Sequence, residues 1–547
     1  MEGTAYTVLA GSTPQAIGVH ILGVLRDAIA PGKSMILVQL EGSQIQYTGV
    51  AAGMSGSPVY VDGKLLGAIG YRIGQFSKEP IAGVTPIAQM LHVINASRQG
   101  EPAAMPGQQL EAQPADARDQ AGLPQPIATP MVFDGFSPRA IRLFQQHLPE
   151  LPVQEVSTLG SSSGDVHDPA PIVPGSAISA LIVSGDFNMA ATCTVTYVDP
   201  KRLLACGHPI TRFGDVAFPM TKARVVTTLA SPMSPMKVVN TTEPVGSFTE
   251  DRQSGIMGVF GRSAAMIPVS LDFSGGATPR RYNFGVVEHP RLTSAAILAT
   301  VFQAMQDSNG YDDPATYHLT GSIQMAGLAA VKIDDWIAPA GAQPASLTAA
   351  VVVAQRFDSL FSNPRQQPHI QDVSLHFTSV AGDRSAEITS ARVLTPRIQA
   401  GSPLTVEVVL HPYRMPSRMV RLQVKLPPVL PAGPVRLLVS DGATLDHTLR
   451  LIANPSAPPE TLAATVQRLN SLHDSDRLYV TLLEPLPQAT LGADTLPAVP
   501  LSVANVLQPE EDDPNFSLDG ETAVPLPSQA QRLVIAGSKV ITLDIRP

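Results

Sequence analysis

A serine set between glycines, in Gly53-Met54-Ser55-Gly56-Ser57-Pro58, is the stretch of this chain best suited to chemistry. Glycines permit a tight turn that exposes a hydroxyl and aims backbone N–H groups at whatever that hydroxyl attacks, as an oxyanion hole requires. The chemistry implied is acyl transfer, with Ser55 as nucleophile and the N–H groups of Gly53 and Ser55 as oxyanion donors. Ser57 is a second hydroxyl in the same turn. A serine nucleophile needs a base within hydrogen-bond reach and a third group that fixes the tautomer of the base. His208, in Ala205-Cys206-Gly207-His208-Pro209, is a candidate base, and Asp215, in Phe213-Gly214-Asp215-Val216, is a nearby carboxylate that could orient it. A lone histidine is by itself more often structural. Cys193, Cys206 and His208 lack a fourth ligand at usual zinc spacing, and no glycine loop of the phosphate-cradling or dinucleotide type occurs, so the expected site uses no metal and no cofactor.

The elements that must position these residues read as β. Residues 1–97 supply about six short strands: TAYTVLAG, AIGVHILGVL, SMILVQLEG, the two arms of the hairpin VYVDGKLLGAIGY, and IAGVTP. Asp62-Gly63 is the two-residue turn of that hairpin, a helix over 86–97 ends the region, and the pattern is that of a small closed barrel. Residues 98–170 form a Pro/Gln/Ala-rich linker and excursion, most polar over 98–128, with a short capped helix from Ser137. Residues 171–365 resume as the His-bearing β region, with helices over 292–305 and 346–360. Strands spaced about ten residues apart over 366–440 read as an immunoglobulin-like sandwich. An α+β region over 441–547 follows, with a helix over 459–472 and a disordered acidic patch at 510–514.

The turn GMSGSPVY, its hairpin, Ile81-Ala82-Gly83-Val84-Thr85-Pro86-Ile87 and the following helical stretch resemble the SpoIVB family of sporulation serine peptidases. More distantly they are similar to the Ser-bearing half of trypsin-like proteases, with Met54 where the latter carry aspartate. Val195-Thr196-Tyr197, Leu203-Leu204-Ala205 and Gly207-His208-Pro209 resemble the SpoIVB-like segment that carries the catalytic histidine. The resemblance therefore implies a serine endopeptidase that hydrolyses a protein substrate through an acyl-enzyme. Ser55 would be nucleophile in preference to Ser57, and His208 general base. An aspartate that precedes the Ser turn in that pattern falls on Glu41, in Leu40-Glu41-Gly42-Ser43, when one residue is dropped, so Glu41 and Asp215 both stand as the orienting acid. The implied fold is two trypsin-like β-barrel units in exchanged order, Ser half first, as a circular permutation would give, followed by the sandwich-like C-terminal region. The whole chain resembles longer bacterial proteins that bear such a peptidase domain at the front.

Composition bounds the partners. The chain has 547 residues, 51 prolines, 42 glycines, 15% charged residues and a formal net charge of −9, without a Lys/Arg cluster that could neutralise a run of phosphates. That argues against nucleic acid, and the protein or peptide substrate is what the resemblance implies. No apolar run reaches the roughly 18–20 residues of a membrane helix. Met1-Glu2-Gly3-Thr4-Ala5-Tyr6 enters strand-like sequence without the pattern of a signal peptide, whereas the resemblance implies an extracytoplasmic setting. Cys193 and Cys206 flank the turn Asp199-Pro200-Lys201-Arg202 in strands that could set them opposite one another, as a cross-strand disulfide or as two buried thiols. The alternative function is a catalytically inactive, peptidase-like scaffold that docks partners through its C-terminal β region.

Overall fold

In the computed structural model the chain is mostly β and divides into two compact units, Met1–Pro268 with Asn283–Thr300, and Val269–Tyr282 with Val301–Pro547. The structure describes residues 1–74, 79–99, 124–149, 151, 156–157, 167–231, 234–276, 279–309, 315–341, 343–430, 432–452, 461–491, 494–496, 498–508 and 516–546. Most of the linker expected over 98–128, and the acidic patch at 510–514, lie outside these residues. No helix among the described residues is long and apolar enough to cross a membrane.

The first unit opens with β1 (Glu2–Thr7), β2 (Gln15–Ala30), β3 (Lys33–Glu41), helix α1 (Ser43–Thr48), β4 (Pro58–Val61), β5 (Lys64–Ile73), β6 (Ile81–Pro86) and helix α2 (Ile87–Gln99). Hydrogen-bonded neighbours run β4-β1-β2-β3-β6-β5, and β5 pairs back onto β4, so the six strands close on themselves as the sequence pattern implies. Val38 and Leu40 of β3, Ile17 and Val19 of β2, and Val59 of β4 fill the interior. In β5 the run Ala68–Tyr71 is buried without alternation, because its second face is covered too.

Next come β7 (Pro124–Pro126), β8 (Met131–Asp134), α3 (Pro138–His147) and β9 (Val156–Ser157). Ser137 Oγ accepts from Ala140 N–H and caps α3, as its sequence suggests. A second ring follows from β10 (Ala177–Gly185), β11 (Asn188–Val198), β12 (Arg202–Ala205), β13 (Gly214–Leu229), β14 (Met236–Arg252) and β15 (Gly255–Phe260). Its neighbours run β10-β13-β14-β15-β12-β11, and β11 pairs back onto β10, so a second six-stranded barrel closes. The two barrels touch along three lines. Gly11 bridges Val225, Ala52 bridges Met236, and Ser55 accepts a backbone hydrogen bond from Thr194. Met90 and Val93 of α2 pack on Ala68 of the first barrel and on Leu204 and Met257 of the second.

In the second unit the sheet of Ser385–Val393, Pro403–Pro412, Arg418–Lys425 and Val534–Ala536 shares one apolar core with the sheet of Gly433–Ser440, Arg477–Glu484, Thr522–Pro525 and Ser538–Ile545. Each sheet has one apolar face that needs the other, so the sandwich draws most of its second layer, all but Gly433–Ser440, from residues beyond 440. The first strand of the expected sandwich, Ile370–Ala381, pairs instead with Ala315–Met325. The helices expected over 346–360 and 459–472 are Ala345–Phe361 and Leu462–Asn470.

The tightest point between the barrels is Gly56, whose φ is +95° and whose missing Cβ would lie 1.8 Å from the Thr194 carbonyl oxygen and 2.6 Å from Cys206 N. Gly56→Ala is therefore expected to lower unfolding free energy by on the order of 3 kcal/mol or more. Gly63→Ala, at φ +74° with open space around the added methyl, should cost only about 1–2 kcal/mol. Urea titration of the two variants side by side measures the difference, and equal losses would mean the barrels separate freely at this contact.

Candidate functional site

The Ser turn is held by β11. Thr194 N–H donates to the Ser55 carbonyl (2.8 Å), Thr194 Oγ1 to the Gly53 carbonyl (2.8 Å) and Thr196 Oγ1 to the Gly56 carbonyl (2.7 Å). Successive even positions of a strand share one face, so Thr192, Thr194 and Thr196 form a ladder of buried hydroxyls under the turn. Gly56 N–H donates to the Ile69 carbonyl and Ser57 Oγ to the Met54 carbonyl (2.6 Å). Ser57 is thus spent on closing the turn, which leaves Ser55 as the hydroxyl available for chemistry.

His208 follows β12, in a turn where Cys206 and Gly207 both have positive φ (+68° and +67°). Cys193 and Cys206 form a disulfide, so of the two thiol states the sequence left open the molecule has the bonded one. The Cys206 N–H donates to the Thr194 carbonyl (3.1 Å), and the Gly207 carbonyl accepts from Thr85 Oγ1 (2.6 Å) of the first barrel. The Ser55 and His208 turns therefore meet in direct backbone contact through Gly56, Thr194 and Cys206.

At this contact the N–H groups of Gly53 and Ser55, Ser55 Oγ and His208 Nε2 make no hydrogen bond of normal geometry among the described residues, although the Ile127 backbone also bears on the His208 ring. Ser55 and His208 are buried, and Ser55 Oγ makes no hydrogen bond to His208. His208 Nδ1 lies 2.7 Å from the Pro209 carbonyl oxygen. A carbonyl can only accept, so Nδ1 carries the proton and Nε2 presents a lone pair. Burial pushes the ring down to about 4, and the nearby Arg212 charge acts in the same direction, against the Pro209 and Ile127 backbone groups. At neutral pH the ring is a neutral base.

Neither carboxylate expected to orient His208 reaches it. Glu41 ends β3 on the outer surface, where its carboxylate gathers with Glu2 and His20, ligand atoms within 4.8 Å of one another. Asp215 starts β13 with a 70% exposed side chain and pairs with Arg252 at 3.0 Å. The backbone carbonyl of Pro209 takes the position an acid would hold. The carboxylate that matters is Asp251, buried in β14, which accepts from the N–H groups of Ile210, Thr211 and Arg212 and from Thr211 Oγ1. It fixes the loop after His208 rather than the ring. Burial pushes its carboxyl up, and these four donors oppose that shift.

Lys237 of β14 was not singled out in the sequence either. It is fully buried, its stem lies against Gly53, and Nζ donates to Thr7 Oγ1 (2.8 Å) and Thr194 Oγ1 (3.2 Å). In Met236-Lys237-Val238-Val239 it looks like an ordinary polar strand residue; only the threonine ladder of Ala191-Thr192-Cys193-Thr194-Val195-Thr196 hints that a polar layer awaits it. Burial pushes its amine down to about 7.

Because the folded pKa of Lys237 is depressed from 10.5, the unfolded chain holds a proton there that the folded protein lacks between about pH 7 and 10.5. The burial penalty is fully present below about 7, and stability rises with pH through that window. Lys237→Met should flatten this rise. Chemical denaturation of both proteins at pH 7 and pH 9 measures it, and an unchanged slope would assign the amine an ordinary pKa.

No family model, curated protein or solved structure matches the chain.

Proposed function

We propose that the first unit is a serine endopeptidase of the SpoIVB type, its two closed barrels related to those of trypsin-like enzymes in exchanged order. The observation that carries this reading is the convergence of these four groups at the contact of the Ser55 and His208 turns. Each fits one role in acyl transfer. Ser55 Oγ attacks the carbonyl carbon of the scissile peptide bond while His208 Nε2 takes the hydroxyl proton. The carbonyl oxygen, now negative, is met by the N–H groups of Gly53 and Ser55. His208 returns the proton to the departing amine as the C–N bond breaks, and water then hydrolyses the acyl-enzyme through the same base. The Pro209 carbonyl holds the tautomer throughout, and Asp251 acts as a positioning residue for that loop.

A second reading, a peptidase-like scaffold without turnover, is favoured by one observation: no carboxylate touches His208 among the described residues. Labelling with a fluorophosphonate probe separates the two. The intact chain should be labelled at Ser55, with labelling lost in Ser55→Ala and reduced at least roughly a thousand-fold in His208→Ala. Labelling that is equal in all three proteins, or absent from the intact chain after long incubation, would sink the catalytic claim.

A further inference from the structure

The Ser55 side chain is 0% exposed, and a segment of the same chain passes close by the two turns. The first half of β5 is paired along one edge with β4, by Lys64↔Val61 through Ala68↔Pro58. Beyond Ala68 that partner ends, and β7 takes over antiparallel, by Tyr71↔Pro126, Arg72↔Gln125 and Ile73↔Pro124. The pairing continues one residue further, where Ile127 N–H donates to the Gly70 carbonyl at 2.9 Å. The Ile127 side chain is buried in the same apolar core as Met54 and Ile69, on either side of the Ser turn's hydrogen bonds.

From there the segment crosses the Ser55–His208 contact. The Ile127 backbone bears on the His208 ring in the direction that favours the protonated form, which only a carbonyl acceptor can do. Pro130 Cγ lies 3.2 Å from where a Cβ on Gly53 would sit, and its carbonyl accepts from Thr192 N–H at 3.1 Å. The chain then enters β8, which pairs with β11 of the second barrel by Met131↔Ala191 through Asp134↔Asn188. Residues 124–134 thus run from an edge of the Ser barrel to an edge of the His barrel, past the His208 ring and past Gly53 of the Ser turn. That is the course of a peptide bound by strand addition.

We propose that Pro124–Pro130 is a resident occupant of the peptide groove, a strand of this chain lying where an extended peptide ligand docks, beside the His208 ring and the Gly53 end of the Ser turn. A peptide ligand must displace it. The register defines that ligand's chemistry: an aliphatic residue at the position of Ile127, an N–H at the positions of Ile127 and Gln125, and tolerance of proline between them. The catalytic meaning of the groove rests on the peptidase reading; its occupancy does not.

The test uses the full chain in two backgrounds. Ile127→Pro removes the N–H that Gly70 accepts. Gln125→Pro removes a neighbouring donor outside the core, and it carries the test if Ile127→Pro fails to fold by circular dichroism. With Ser55 intact, either variant should be labelled by the fluorophosphonate at least tenfold faster than the parent. With Ser55→Ala added, a fluorescent synthetic copy of residues 124–130 should bind either variant at least tenfold more tightly than the parent, because the tethered competitor is weakened. Tight peptide binding by a variant that never labels keeps the occupant and removes the peptidase. Labelling at the parental rate, or peptide binding no tighter than the parent's, overturns the occupant.

Discussion

The site depends on Thr194, which makes more of the bonds joining the Ser turn to the His turn than any other residue. Its N–H holds the Ser55 carbonyl, its carbonyl holds the Cys206 N–H, and its hydroxyl joins the Gly53 carbonyl to the Lys237 amine. A backbone N–H and C=O on a strand normally serve a ladder. Here the Thr194 N–H leaves the ladder to serve the Ser turn, while its carbonyl serves the Cys206 N–H. The Cys193–Cys206 disulfide spans the same place from the other side, fixing the His208 turn to the residue before Thr194. Burying a charged or half-charged lysine behind this hub is costly, and the amine stays because three oxygens, two hydroxyls and the carbonyl beyond Thr194, are aligned by it.

A large part of this arrangement is legible in the sequence, and the legible part is local. The Gly53–Pro58 turn, the Asp62-Gly63 hairpin and the six strands of the first barrel follow from glycine placement and alternation, which act over a few residues. The capped helix at Ser137 is equally local. The partners of His208 are not legible, because they are set by contacts far away in the chain. Asp251 looks like one of several acids in Thr249-Glu250-Asp251-Arg252, and only the fold reveals that Glu250 is taken up by an ion pair with Arg252 while Asp251 holds the 210–212 loop. Glu41 and Asp215 were attractive because they lie near the motifs in sequence. Strand direction takes both to the surface. The sandwich shows the same limit: its first sheet is visible as alternation over 385–425, but no local signal reports that residues 433–545 cover it.

Orienting a base with a backbone carbonyl rather than a carboxylate has an electrostatic consequence. A carbonyl selects the Nδ1–H tautomer as an acid does, yet it would offer no full negative charge to an imidazolium formed in the proposed acyl transfer. Hydrogen bonds to ionised partners are roughly twice as strong as neutral ones, so a proton on Nε2 is less well supported here. Burial depresses the ring in the same sense. In its covered state His208 is therefore held neutral and weakly basic, and rehydration of the groove, by removing the largest cause of the shift, would make it a stronger base.

The composition of the covering segment fits its position. Strand partners use alternate N–H groups, and since Ile127 N–H points toward β5, that of Gln125 does as well, while positions 124 and 126 point outward. Both outward positions are proline, which has no N–H to offer. The strand can thus satisfy the edge of β5 without presenting a new row of donors to a further chain, the way edge strands are commonly blunted. Its pairing with β5 uses only the alternate donors, where β4 and β6 are tied into a closed ring. A strand that adds to a barrel without closing it can leave without opening the barrel. On the proposed reading this separates the cover from the scaffold: the two barrels would hold the Ser and His turns in place whether or not the segment is bound.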